Sequence, residues 1–256
     1  MRARGSEGAS LPTVFPQLAA VKAHFRKGQL SMVAAAPGVG KSAFTTTLAI
    51  RSGARTMYAS ADSDRTTLGV RIGAHITRFT TEEIEAHLES ADRDRWYHAI
   101  ESATPHIWWA WDAAPTLEDI EAEIEAYAVC HGDWPELIVI DNLKNVWVDE
   151  AGGGDHVRYD RAIDFLHEIA RDTGAHVTFL HHVTGEFEDG IRPIPISGLL
   201  GKVGKTPRLI LTLYKASENE MGVCIVKNSV GPANPSGQMQ VKIPFVPERM
   251  WFGGVE

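Results

Sequence analysis

The 256-residue chain holds two cysteines, no long apolar run and no overall surplus of positive charge, and each shortage excludes something. Cys130 and Cys224 stand alone, without C-x-x-C spacing. Each lies in an apolar stretch, so both thiols are expected to be buried as small hydrophobes rather than to bind metal or act in redox chemistry. The longest apolar runs, such as Leu137 to Ile140 and Ile210 to Leu213, fall far short of the roughly 18 residues that a membrane span needs. No apolar stretch follows Arg2 and Arg4, so no signal peptide is visible and a cytoplasmic location is expected. With 25 Lys and Arg against 33 Asp and Glu, the net charge is −8, which argues against a chain coated in positive charge for nucleic acid. The C-terminal part reverses the sign. Residues 201–256 carry seven basic groups (Lys202, Lys205, Arg208, Lys215, Lys227, Lys242, Arg249) against four Glu, so a basic face on an acidic body is expected.

What is present is ordinary for one soluble core: 44% hydrophobic residues and 23% charged. The length suits a single domain. Residues 1–12 are small and polar and are read as a flexible tail, with the domain proper at 13–256. From Leu30 the sequence runs as a short apolar strand, a Gly/Pro loop, and a helix with Phe44 and Leu48 at helical spacing. A second strand over residues 55–60 follows closely, then a helix over 64–78 and a solvated helical pair over 80–102. Further strands are expected at 107–111, 137–141, 176–180, 209–214, 223–227 and 239–245. Helices are expected from a Thr116/Asp119 capping box to Gly132, and from about Val157 to Asp172. Trp108, Trp109 and Trp111, at strand spacing, are read as packing residues. Strands alternating with helices before a closing hairpin predict an α/β fold: a mostly parallel twisted sheet, helices on both faces, and an antiparallel C-terminal edge.

The strongest chemical signal is Ala35-Ala36-Pro37-Gly38-Val39-Gly40-Lys41-Ser42, set between strand and helix and running on through Ala43. Backbone N–H groups of such a loop, with the helix N-terminus behind them, cradle phosphates. Gly38 and Gly40 let the chain wrap the ligand, Lys41 reaches the β and γ phosphates, and the Ser42 hydroxyl is a ligand for Mg²⁺. The first glycine of the usual G-x-x-x-x-G-K-[ST] pattern is replaced by Ala35. Leu137 to Asp141 is an apolar strand ending in a carboxylate, which places Asp141 at the ligand edge of a parallel sheet. Strands also end in Asp for turn capping alone, but after a phosphate loop a role near Mg²⁺ is the expectation.

These residues resemble the RecA-like P-loop ATPase core of the DnaB-type and RepA-type hexameric helicases of plasmids and phages. The likeness spans about residues 13–250 and is strongest at Pro37 to Ser42. It implies ATP and Mg²⁺ as cofactors, single-stranded DNA as ligand, and a homo-oligomeric ring of six subunits, with replication proteins as further partners. Asp62, ending Tyr58-Ala59-Ser60-Ala61-Asp62, matches the family's catalytic Glu, one methylene shorter; the competing reading is a cap for the helix that follows. Phe179-Leu180-His181-His182 resembles the strand that ends in the γ-phosphate sensor, with His182 favoured over His181. Lys227 matches a lysine that reaches a neighbouring subunit's ATP in trans, while Ser229 stands at the arginine-finger position. Lys202, Lys205 and Arg208 match a pore loop that holds DNA, against a plain solvated loop. No N-terminal primase-interacting domain is visible, which points to a compact plasmid or phage protein.

The resulting expectation is a helicase-type ATPase of DNA replication or recombination. Two alternatives stand beside it: a non-translocating ATP-dependent loader, and a metal-dependent nuclease using Asp62, Asp141 and the His181/His182 pair.

Overall fold

A computed structural model describes residues 8–148, 154–201 and 203–253. Its strands are β1 (Leu30–Ala35), β2 (Thr56–Ser60), β3 (Ile107–Ala110), β4 (Leu137–Asp141), β5 (His176–His181), β6 (Leu209–Ser217), β7 (Glu220–Asn228), β8 (Gln240–Val246) and β9 (Trp251–Phe252). Its helices are α1 (Pro16–Ala20), α2 (Lys41–Ser52), α3 (Arg65–Thr77), α4 (Thr81–Glu89), α5 (Arg93–Ala103), α6 (Leu117–His131) and α7 (Gly154–Thr173). The strands form one sheet in the order β3-β2-β4-β5-β1-β6-β7-β8-β9. Pairing is parallel from β3 to β6 and antiparallel from β6 to β9. This is the expected α/β architecture with its antiparallel C-terminal edge.

Every residue of β1, β2, β4 and β5 is buried, which happens only when both faces of a sheet are covered. The continuous Leu, Ile and Val run of β4 follows from that. The helices begin and end where their own chemistry dictates. In α6 the Thr116 side chain accepts from the Asp119 N–H and the Asp119 carboxylate accepts from the Thr116 N–H; Gly132, at φ 73°, closes the helix. Thr80 and Glu83 make the same box for α4. Gly73 on α3 permits close packing, because a Cβ there would meet Ile84 Cγ2 at 3.0 Å.

Several elements exceed the sequence-based expectation. β6 and β7 run three residues past their apolar cores, because main-chain pairing continues through Lys215–Met221 and Ser217–Glu220 whatever the side chains. Both chain ends are drawn into the core. Phe15, before α1, stacks on Phe44 of α2 at 4.3 Å, and Phe252 of β9 meets Phe44 edge-on at 5.8 Å. Before them, Leu11 N–H donates to Phe25 O at 2.7 Å, and Gly8 N–H to Lys27 O. Cys224 is buried as expected, but Cys130 is exposed. It lies in the last turn of α6, whose buried stripe is Ile120, Ile124 and Tyr127; a periodic pattern extended by one turn put it on the wrong side. Trp111 lies beyond β3 and is partly exposed, stacked on Trp109.

Candidate nucleotide site

β1 carries the phosphate loop at its C-terminal end, and the order β2-β4-β5-β1 places three more strand ends beside it. Gly38 and Gly40 take φ values of 73° and 112°, which side chains resist, so glycine is required at both. Ala35 needs no such freedom. It is the last buried residue of β1, paired with Leu213, which is why the missing first glycine costs nothing. Helix α2 opens on Gly40 with no side-chain cap and no acidic residue in its first turn, leaving its first N–H groups and positive dipole end available to an anion.

Lys41 is buried, and its Nζ donates to Ala35 O at 3.0 Å and Ala36 O at 3.2 Å. Burial lowers its pKa, while Asp141 and Asp62 pull the other way. Asp141, at the end of β4, is 1% exposed. Burial raises its pKa against the opposing pull of the Ser42 and Tyr58 hydroxyls and of Lys41. Its Oδ2 accepts from Tyr58 OH at 3.0 Å, and its Oδ1 has no partner. An orphaned carboxylate oxygen beside a serine hydroxyl fits an oxygen-seeking cation, so Ser42 and Asp141 suit Mg²⁺.

Asp62 reaches the site through its backbone: the Ala61 and Asp62 N–H groups donate to Asp141 O at 2.6 and 3.1 Å. The capping alternative fails, because Asp64 caps α3, accepting from Thr66 and Thr67 N–H. That leaves the exposed Asp62 carboxylate uncommitted to the helix.

The two histidines part ways. His181 is buried, donates from Nε2 to Leu200 O at 2.6 Å, and is held at a pKa of about 4, chiefly by burial. It is a neutral core group. His182 is half-buried at the strand end. Asn142 Oδ1 accepts from Lys144 N–H, which turns its Nδ2 toward His182 Nε2 at 3.3 Å. Nε2 must then accept, so the proton sits on Nδ1. Burial, then Lys41 and Lys144, hold the ring below the ordinary histidine pKa.

Three residues that sequence reasoning did not single out complete the frame. Tyr58 on β2 is fully buried with its hydroxyl 3.0 Å from Thr45 Oγ1 of α2, so it joins the phosphate-loop helix to Asp141. Asn142 orients His182. Asn145 donates to Ala61 O at 2.9 Å, holding the segment that carries Asp62. A polar residue following Asp141 at a strand end was the only available hint.

Lys227 and the basic loop lie elsewhere. β7 runs antiparallel, and Lys227 pairs with Ile210 near the start of β6, whereas Leu213 is level with Ala35. Lys227 is therefore toward the opposite sheet edge from its own phosphate loop. Its Nζ donates to Gly204 O and Lys205 O at 2.9 and 2.5 Å. Arg208 immediately precedes β6, and its carbonyl accepts from Ser229 N–H at 2.9 Å. Lys202 lies outside the described residues. Among the described residues no three His, Cys, Asp or Glu side chains are grouped to hold a metal, so the nuclease alternative lacks its cluster. Among the described residues no helix is long and apolar enough to cross a membrane.

The model of an AAA domain matches residues 9–186, which include the phosphate loop, Asp62, Asp141 and His182. The chain belongs to this AAA family. Within it, the chain is 39% identical over 257 residues to the Gene 65 protein of Mycobacterium phage L5, covering 96% of this chain and 94% of the relative. It is 36% identical over 230 residues to the Gene 65 protein of Mycobacterium phage D29, covering 86% and 96%. The fold of this AAA domain is also that of the ATPase domain of G40P, with a TM-score of 0.81 at 18% identity over 98% of this chain and 93% of the other. A DnaB-like replicative helicase, solved with its interactions with primase, matches with a TM-score of 0.83 at 17% identity over 98% of this chain and 63% of the other. The AAA domain is thus a P-loop ATPase fold of RecA-like, DnaB-like architecture.

Proposed function

We propose that this AAA domain hydrolyses ATP to drive movement along single-stranded DNA, as a helicase-type motor of replication or recombination assembled into a six-membered ring. The carrying observation is the meeting of Lys41, Asp62, Asp141 and His182 at one sheet edge around an uncapped helix N-terminus. Pro37 to Ala43 would bind the phosphates, and Ser42 and Asp141 would hold Mg²⁺. Bound there, the ion supplies charge neutralisation on the phosphate oxygens. Lys41 offers a desolvated positive charge, worth most where water is excluded. Asp62 orients the attacking water and takes its proton, and His182 presents its Nδ1–H toward the reacting phosphate, held by Asn142.

The position of Lys227 supports a ring. It stands about 10 Å along the sheet from the level of its own phosphate loop, three residues at ~3.3 Å each. Out of reach of its own phosphate loop, it would serve another subunit's nucleotide in such a ring. Lys205 and Arg208, with Lys202, supply the basic character for DNA, and other replication proteins, of which primase is named with one structural neighbour, are the partner class. ATP turnover is the test. Lys41→Ala should abolish turnover without unfolding the chain; full retained activity would defeat the reading. Asp62→Asn should keep nucleotide affinity and lose hydrolysis, whereas equal loss of both would make Asp62 structural.

Two observations favour a second reading, a loader that assembles on DNA without translocating: the shorter Asp62, and Ser229 where an arginine would contribute several powers of ten in rate. Strand displacement on forked DNA separates the two. ATPase stimulation by single-stranded DNA in a nucleotide-bound multimer supports the motor, and ATP-dependent binding without unwinding supports the loader.

A further inference from the structure

A cleft of about 570 Å³ lies at the sheet edge opposite the phosphate loop, lined among others by Lys27, His167, Arg171, Thr206 and Arg208. These come from three separate stretches: the approach to β1, the last turns of α7 and the entry to β6. Although the chain is acidic overall, no carboxylate among the described residues lines the cleft. Lys27 is neutralised by Glu136 at 2.5 Å. Arg171 and Arg208 have no such partner: among the described residues no carboxylate lies within ion-pair distance of either guanidinium. The Nδ1 atom of His167 is buried and makes no hydrogen bond. Lys227 adds to the same positive field, since the Arg208 charge, after burial, depresses its pKa.

We propose that this cleft is a second anion site, which takes phosphate groups through Arg171 and Arg208. Two planar guanidinium forks match phosphate oxygens in pairs, which favours phosphate over a simple halide. The Thr206 hydroxyl and the His167 ring nitrogen supply further hydrogen bonds. The volume suits a nucleotide-sized group. The phosphates belong either to a polynucleotide backbone or to a free nucleotide. The polynucleotide source rests on the DNA contact proposed above for Arg208, but the cleft is separate from the nucleotide site, because the six residues of β1 separate the two by roughly 20 Å at ~3.3 Å per residue.

The full chain is titrated, without nucleotide, with fluorescein-labelled dT20 by anisotropy and with inorganic triphosphate by calorimetry. For the polynucleotide source, Arg171→Ala/Arg208→Ala should weaken dT20 binding at least tenfold near 0.1 M salt. It should also flatten the plot of log K against log salt by about 1.4, at ~0.7 per phosphate contact on a single strand. For the free-nucleotide source, triphosphate stoichiometry falls by one site in the double variant while the phosphate-loop site persists. Either change supports the cleft and names its source. Arg171→Lys/Arg208→Lys should restore the salt slope while recovering only part of the affinity. If the double variant loses its cooperative melt, the single variants decide, each expected to flatten the slope by about 0.7. Unchanged dT20 affinity, salt slope and triphosphate stoichiometry would overturn the proposal, and loss of ATP turnover in Lys41→Ala would be unaffected by that outcome.

Discussion

Tyr58 illustrates how one hydroxyl organises the site. It donates to Asp141 Oδ2 and lies beside Thr45 on α2, and burial pushes its own pKa well above the ordinary tyrosine value. It therefore remains a neutral donor at any physiological pH. Tyr58→Phe would remove the hydrogen bond to Asp141 Oδ2, and leaving a buried acceptor unsatisfied costs about 1–3 kcal/mol. Urea unfolding without nucleotide should show a loss of that size; unchanged stability would mean that the hydroxyl does not hold Asp141. Residues such as Lys41 and Asp141 were legible in sequence because a motif or a strand end marks them. Tyr58 was not, since a tyrosine inside an apolar strand looks like any core aromatic until the partner strand is known.

Among the elements, the phosphate loop depends on a neighbour distant in sequence. Gly190, in the connection from β5 to β6, packs against it so closely that a Cβ would lie 2.5 Å from Val39 Cγ2, and its φ is +66°. Gly190→Ala combines overpacking with backbone strain, each of order 1–3 kcal/mol. Thermal melting should fall, and nucleotide affinity should drop several-fold as Val39 is displaced; an unchanged affinity would mean that the loop holds its shape unaided. Strand and helix positions were mostly readable, because periodicity and capping boxes are local. The ends of β6 and β7 were not, since main-chain pairing carried them through the polar run Lys215 to Glu220. The exposure of Cys130 was misread for the converse reason: local pattern cannot say where a buried helix face stops.

For the whole molecule, three buried histidines tie the layers together. His75 of α3 bonds Met250 O, His176 joins Arg26 O to Ser31, and His181 holds Leu200 O. Burial is the first cause in each case, and each is held at a pKa of about 4, below the ordinary 6.5. A lowered folded-state pKa means that the unfolded chain binds protons first as pH falls. Their stabilisation is therefore complete above pH 6.5 and is lost progressively down to about 4. Each would contribute a loss of about 2 kcal/mol between pH 7.5 and 5. Asp141, with its raised pKa, acts in the opposite sense but is a single group. Urea midpoints should fall steeply across that interval, and a flat profile would contradict the burial of these rings.

By itself the sequence determined the fold class, the phosphate loop and the carboxylate at the end of β4, because period, capping and a contiguous glycine motif are written over neighbouring residues. It also marked Asp62 and His182, though each with a competing reading. The tertiary structure removed the capping reading of Asp62 by showing that Asp64 caps α3, and it committed His181 to a core carbonyl. It alone brought Tyr58, Asn142 and Asn145 into the site, and it set Arg171 beside Arg208 at the far edge. Such relations join residues 37 to 84 positions apart, and only strand order and register convert that separation into contact.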